Sequence, residues 1–249
     1  MKKILVLFAI VLICPSLTAQ GQDRRWQASE TEWYHPVPPV VTPGEGVVGT
    51  KPPSDAIILF DGTDFSAWVG RDGEEVKWKI VGDAMVVEPK TGDIWTKEAF
   101  GDCQLYIEWR TPAVIEGDGQ NRGNSGVFLQ NTYEVQILDS YNNPTYVNGQ
   151  AGSIYKQKAP KVNASKPPGE WQVFEIIWRA PRFGTDGTLE EPARITVVHN
   201  GILIHDNYEL KGHTPHTGLP RYTPHGRLPI RLQDHSTPNE FRNIWIRNL

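Results

Sequence analysis

From Ala56 onward the chain is a succession of short runs dominated by β-branched, aliphatic and aromatic residues: "AIILF", "VKWKIV", "AMVVE", "CQLYIEWR", "GVFLQ", "YEVQILD", "WQVFEIIWRA", "RITVVHN", "ILIHDN", "PIRLQD" and "IWIRN". Glycine, proline and asparagine separate them. No stretch sustains a helical apolar period, whereas several runs alternate with a period of two, so they read as strands. His199–Gly201, "HNG", falls between two runs where a tight hairpin turn is expected. Many short strands punctuated by turn signals predict an all-β sandwich in a single domain, two sheets packed face to face as in a jelly roll.

The alternation also sorts residues by face. "QLYIEWR" sets Gln104, Tyr106, Glu108 and Arg110 against Leu105, Ile107 and Trp109, with the polar side toward solvent or a cleft. "IRLQDH" sets Arg231, Gln233 and His235 against Ile230, Leu232 and Asp234. In "YEVQILDS", Glu134 and Gln136 share one face while Val135 and Ile137 point to the core. Asp139 falls on the apolar side, unless a one-residue bulge near Ile137 and Leu138 swings it round to Glu134. Most tryptophans sit among aliphatics and are assigned to the core, and Trp95, beside Asp93, is placed near a cleft. Two long loops, residues 111–125 and 211–227, are suited to rim such a cleft.

The N-terminal part follows different rules. Lys2 and Lys3 precede an apolar run, Ile4–Ile13, and small residues follow to Ala19. Residues 1–19 therefore read as a signal peptide, which implies export to the periplasm or the extracellular space. The run is shorter than the roughly 20 residues of a membrane span, and no other segment comes close to that length. Residues 20–54 are rich in proline and predict an extended arm docked through Trp33 and Tyr34, with a plain linker as the alternative. Residues 55–249 form the β domain.

Composition narrows the options further. The full chain has 25 Lys+Arg against 29 Asp+Glu, and loss of residues 1–19 removes two lysines, leaving 23 against 29 and a net charge of −6. Such a balance does not suit nucleic acid. Cys103 is then the sole cysteine, so no intrachain disulfide forms, and it is expected as a small buried apolar residue. The spacing of His213, His216 and His225 in a proline-broken loop matches no zinc signature, so no metal ligands are assigned. Oxygen-rich "DGTD" (61–64) and "GDGQN" (117–121) could hold a structural calcium or simply make turns. No cofactor is required.

"YEVQILDS" loosely resembles the carboxylate-bearing strand of laminarinase-type retaining glucanases, with Glu134, Gln136 and either Leu138 or Asp139 at the three functional positions. Retaining hydrolysis needs two carboxylates about 5–5.5 Å apart, and inversion needs them about 6.5–9.5 Å apart. Only the bulged register supplies a second one here. The chain as a whole is more similar to the 3-keto-disaccharide hydrolase domain family. That likeness is carried by "LFDGTDFSAW" (59–68), "NSGVFLQ" (124–130), "YEVQILDS" (133–140), residues 152–183, residues 194–212, "PIRLQDH" (229–235) and "FRNIWIR" (241–247).

The resemblance implies a concanavalin A-like jelly roll acting on glycosides whose glucosyl 3-hydroxyl has been oxidised to a ketone. The ketone acidifies the hydrogen at C2, so a base can remove it, the enolate can expel the glycosidic oxygen from C1, and water can add back. Such chemistry needs a base, a partner for the enolate oxygen and an acid for the leaving group, but no covalent nucleophile. On that implication Glu134 is the base, Arg231 and His235 are the catalytic partners, and His235 can also be the acid. Gln136, Asn124, Tyr155, Lys156, Gln157 and Gln233 would bind sugar hydroxyls. Glu108 is an alternative base or a partner of Arg110, and Asp139 a further substrate contact. Two other readings stand beside this one, a non-catalytic carbohydrate-binding module of the same fold and a conventional retaining glucanase.

Overall fold

A computed structural model describes residues 25–45 and 47–249. The signal peptide expected at residues 1–19 lies outside the described residues. In chain order the strands are β1 (Ile57–Phe60), β2 (Trp68–Val69), β3 (Lys79–Val81), β4 (Ala84–Val86), β5 (Ile94–Phe100), β6 (Cys103–Arg110), β7 (Ser125–Leu129), β8 (Tyr133–Ile137), β9 (Gln172–Arg179), β10 (Arg182–Phe183), β11 (Leu189–Glu191), β12 (Arg194–His199), β13 (Ile202–Glu209), β14 (Leu228–Leu232) and β15 (Glu240–Asn248). Every pairing is antiparallel. One sheet runs β13-β12-β9-β6-β15-β4-β3, with β1 also paired to β15, and a five-stranded sheet runs β2-β5-β14-β7-β8. The predicted jelly-roll sandwich is the fold observed.

Alternation builds the core between the two sheets. Leu105, Ile107 and Trp109 of β6, Phe174, Ile176 and Trp178 of β9, and Ile195 and Val197 of β12 meet Val127, Leu129, Val135, Ile137, Ile230 and Leu232 of the five-stranded sheet in one buried cluster. Cys103 is buried in the same cluster. Between β12 and β13 the turn residues Asn200 and Gly201 both have positive φ, 52° and 80°. Backbone twist of that sign matches the twist of the flanking strands, which is why "HNG" makes a hairpin.

The outer face of β6 departs from expectation. Tyr106 and Glu108 are completely buried, because residues 47–50 of the arm lie over them. Tyr106 stacks on Trp245 at 5.1 Å, with Val173, Val47, Val48 and Ala56 around them. The Glu108 carboxylate accepts hydrogen bonds from Arg242 Nε (2.8 Å), Asn243 Nδ2 (2.9 Å), the Tyr106 hydroxyl (2.9 Å) and the Gly49 amide (2.6 Å). Glu108 is therefore sealed beneath the arm and committed to these four donors, and it is not bound to Arg110, which pairs with Glu240 instead. It anchors the arm to the larger sheet.

The arm docks at Trp33 and Tyr34 as expected, mainly through the Trp33 backbone, with the Tyr34 ring set edge-on to Tyr146 at 6.5 Å. The Trp33 amide donates to Asn148 Oδ1 and its carbonyl accepts from the Val147 amide, while Asn148 Nδ2 reaches the Thr31 carbonyl. Val40 forms a parallel bridge with Asn163. The Trp33 and Tyr34 side chains both stay partly exposed, so the backbone hydrogen bonds carry most of the attachment. No helix among the described residues is long and apolar enough to cross a membrane.

Removing one member of a buried ion pair leaves the other charge uncompensated. Glu108→Ala should therefore destabilise the protein by about 3–5 kcal/mol, read as a lower urea midpoint with an unchanged slope. A change below about 0.5 kcal/mol would place Glu108 on the ordinary wet surface.

Candidate active site

The site grows from the outer face of the five-stranded sheet. Its edge strand β8 is covered along the free side: the Gln136 amide donates to the Ser153 carbonyl, the Gly152 amide to the Gln136 carbonyl and the Tyr155 amide to the Glu134 carbonyl. The Glu134 amide donates to Thr214 Oγ1 of the long loop 211–227. Satisfying these edge groups brings Tyr155 and Thr214 beside the outward face of β8.

Pairing register then lays out a row of side chains. Glu134 lies opposite Phe128, Phe128 opposite Arg231 on the next strand, and Arg231 opposite Trp95 beyond it. Gln136 lies opposite Gly126. The glycine is required there, because a Cβ on Gly126 would stand 2.5 Å from Glu134 Oε1 and 2.8 Å from the Phe128 ring. The carboxyl of Glu134 occupies the space that a side chain would fill.

A cavity of about 240 Å³ opens over this row, lined by Asn124, Phe128, Glu134, Gln136, Tyr155, Thr214, His216, Arg231, Gln233 and His235. Glu134 is its sole carboxylate. No side chain among the described residues donates a hydrogen bond to that carboxyl. Burial pushes Glu134 up to about 8; the Arg231 charge pulls it down and Asp93 pushes it up, and neither reverses the effect of lost water.

Arg231 is fixed on two sides. Its guanidinium carbon sits 3.6 Å above the centre of the Phe128 ring, and its Nη1 donates to Asp93 Oδ2 at 2.7 Å. The other Asp93 oxygen accepts the Asp234 amide at 2.9 Å. Arg231 Nε is buried without a partner, so the guanidinium, which borders the cavity, keeps donors that Asp93 does not use. Gln136 Nε2 donates to Asn124 Oδ1 at 3.1 Å, and Asn124 Nδ2 donates to the Gln120 carbonyl, which orients both amides. The Tyr155 hydroxyl hydrogen-bonds that of Tyr146 at 2.8 Å, and burial raises Tyr155 to about 12, keeping it a proton-bearing donor. His235 is exposed at the rim.

The sequence candidates thus divide. Glu134, Arg231, His235, Gln136, Asn124, Tyr155 and Gln233 converge on one cavity. Lys156 does not: its buried ammonium donates to the carbonyls of Ala28 and His216 and pairs with Glu32, tying the arm to loop 211–227. Gln157 is likewise structural, donating to the Gly212 and His213 carbonyls and accepting the Lys211 amide. Asp139 is held by Arg122 Nε at 2.6 Å, outside the cavity lining. β7 and β8 pair without a register shift, so no bulge within the strand carries Asp139 to Glu134.

Phe128, Gly126, Thr214, His216 and Asp93 complete the site and were not picked out as site residues from the sequence. Period-two alternation applied to "SGVFL" would have found Gly126 and Phe128, but Thr214 and His216 arrive on a loop whose path no local pattern encodes. Asp61 accepts from both the amide and the hydroxyl of Thr63, and Asp64 from the Ser66 amide, so "DGTD" makes turns. No group of three or more His, Cys, Asp or Glu that could hold a metal ion occurs among the described residues.

Comparison with known proteins adds to this geometry. Residues 55–247 match the family model described as a 3-keto-alpha-glucoside-1,2-lyase-like domain, as the sequence segments implied. A crystal structure from Parabacteroides distasonis, provisionally described as a glycosyl hydrolase, is 50% identical, covers 89% of this chain and 96% of its own, and superposes with a TM-score of 0.79. A second structure from that organism with the same description is 20% identical, covers 78% of this chain and 94% of its own, and has a TM-score of 0.58, a likeness of fold. No curated protein matches.

A carboxyl raised by burial makes stability depend on pH. Its folded value, about 8, exceeds its ordinary value of 4.5, so its full contribution holds below pH 4.5 and is lost as pH rises through about 8. Glu134→Gln should lack this loss. Wild type should therefore weaken relative to the variant between those limits, by at most about 4–5 kcal/mol, in urea titrations across pH. Parallel stability curves would show that Glu134 is solvated.

Proposed function

This chain belongs to the 3-keto-alpha-glucoside-1,2-lyase-like domain family, and from that premise we propose that it cleaves the glycosidic bond of 3-keto-glycosides by base-initiated elimination followed by hydration. The observation that carries the reading is the single carboxyl lining the cavity, largely buried, free of hydrogen-bond donors and near a fixed guanidinium. A glycoside with a C3 ketone asks for a base and an anion-stabilising donor, and this site offers both.

In the proposed sequence Glu134 takes the proton from C2, and the C–H electron pair becomes an enolate on the C3 oxygen. The Arg231 guanidinium donates to that oxygen. The enolate then collapses: the C3 carbonyl reforms, the C1–C2 double bond forms, and the C1–oxygen bond breaks. His235 gives a proton to the departing oxygen, completing release of the leaving group. Water adds across the double bond, its hydroxyl at C1 and its proton at C2, giving a free 3-keto-sugar. Gln136, Asn124 and Tyr155 hold ring hydroxyls and limit sliding of the sugar between these steps.

Two features support elimination over a double-displacement hydrolysis. The cavity lining offers no second carboxylate for a nucleophile and acid pair, and Asp139, the residue just beyond this strand that could have served, is held by Arg122. A carboxyl tuned to about 8 is also a stronger base than an ordinary glutamate, closer to what removal of a carbon-bound proton requires. A carboxyl raised by burial at the floor of a cavity is a feature that favours a catalytic base over a mere binding module. Residues 1–19 would direct the protein out of the cytoplasm to meet such glycosides.

The test is proton NMR of the purified protein in D₂O with a 3-keto-disaccharide and, separately, with its unoxidised parent. Cleavage of the keto-sugar alone, with deuterium entering at C2, is expected. Glu134→Gln should slow it by about 10²–10⁴, and kcat/KM of the wild type should rise with pH through about 8 as Glu134 loses its proton. Cleavage of the unoxidised sugar, or cleavage of the keto-sugar without deuterium at C2, would overturn elimination.

A further inference from the structure

The Glu134 cavity, about 240 Å³, is smaller than the roughly 300–1,000 Å³ of sites that enclose a drug-sized ligand, so a ligand longer than one ring must extend beyond it. Two depressions flank it. One, lined by Thr111, Val114, Ile115 and Arg122 among others, has no aromatic wall and shares no lining residue with the Glu134 cavity. The other, of about 600 Å³, shares Arg231 directly and is lined also by Arg71, Asp72, Asp93, Trp95 and Asn131. The row Glu134, Phe128, Arg231, Trp95 runs straight from the first cavity into this second one. Three strand spacings separate its ends, a backbone distance of about 14 Å.

The chemistry of the second depression suits a hexose. Trp95 of β5 is half-buried, and its indole nitrogen donates at 2.9 Å to Oδ1 of Asn131, in the turn between β7 and β8, which fixes the ring. A fixed indole offers an apolar surface to the C–H face of a sugar, while the hydroxyls around a sugar ring need donors and acceptors at its edge. Arg71 and Asp72, both exposed, supply one of each.

We propose that this depression binds a second sugar ring, the one attached through the bond to be broken, so that Trp95 and Arg71 set a preference for disaccharides over simple alkyl glycosides. Arg231 then serves both sides: one face of the same residue borders the ring over Glu134 and the other borders the leaving sugar. The inference rests on the reading of the Glu134 cavity as the place of cleavage.

The test compares kcat/KM for a 3-keto-disaccharide with that for methyl 3-keto-glucoside. In Trp95→Ala the ratio of the first to the second should fall at least about tenfold, mainly through KM for the disaccharide. Trp95→Phe should restore most of it. A ratio unchanged in Trp95→Ala would overturn the proposal, as would an equal loss on both substrates. If Trp95→Ala does not fold, Arg71→Ala, an exposed position, carries the same comparison with the same expected direction. If the wild type cleaves neither substrate, the cleavage reading fails; calorimetric titration with the unoxidised disaccharide then decides the subsite alone. Heat of binding that Trp95→Ala abolishes supports it, and binding indifferent to Trp95→Ala overturns it.

Discussion

A carboxyl buried to this extent with no hydrogen-bond donor is expensive to ionise, and the arrangement around Glu134 is organised by that fact. The usual remedy for a buried acid is an arginine fork or a pair of backbone amides. Here the nearby arginine spends one nitrogen on Asp93 and lays its plane on Phe128, so it moderates the field at Glu134 without neutralising it. The consequence is a proton held up to about pH 8. A domain with a net stability of about 5–15 kcal/mol can tolerate one such group only if the surrounding structure is over-determined.

That over-determination is visible in how many backbone groups are satisfied around the cavity. The free edge of β8 is closed by residues 152–155 and Thr214, and loop 211–227 is held in place by Gln157 and Lys156 from beneath. Lys156 also grips the arm at Ala28 and Glu32. The arm is therefore mechanically continuous with the cavity wall, since one ammonium binds both the arm and the carbonyl of the wall residue His216. At its other end the arm seals Tyr106 and Glu108 on the far sheet. A segment rich in proline, lacking strand alternation, thus supplies contacts on both sheets of the sandwich.

These features explain which parts of the molecule could be read from the chain. Faces of strands were legible, because period two is a local property: Glu134 with Gln136, and Arg231 against Ile230 and Leu232, stand as alternation places them. Covering of faces was not legible. Glu108 has the same alternation signal as Glu134, yet one is covered by the arm and saturated with donors while the other stands in a cavity with none, and that difference depends in part on a contact between residues 49 and 108. "SIYKQK" illustrates the same limit at single-residue resolution. Tyr155 reaches the cavity while Lys156, with φ 56°, turns away to become a structural clamp. The chain direction at that point is set by the edge of β8, which lies some twenty residues upstream.

The same asymmetry bears on chemistry. A pair of carboxylates at fixed separation can hydrolyse an unmodified glycoside because the enzyme supplies both nucleophile and acid. With a single carboxylate the substrate has to contribute the missing reactivity, and a ketone next to the bond under attack does so by making a carbon-bound proton removable. On the proposed reading, the loss of charge at Gln136 is therefore useful rather than defective. A second carboxylate there would sit beside Glu134 and raise its proton affinity further, past the point where a base is available near neutral pH. A neutral amide, oriented by Asn124, keeps the hydrogen-bonding capacity of that position and leaves the proton affinity of Glu134 to be set by burial and Arg231.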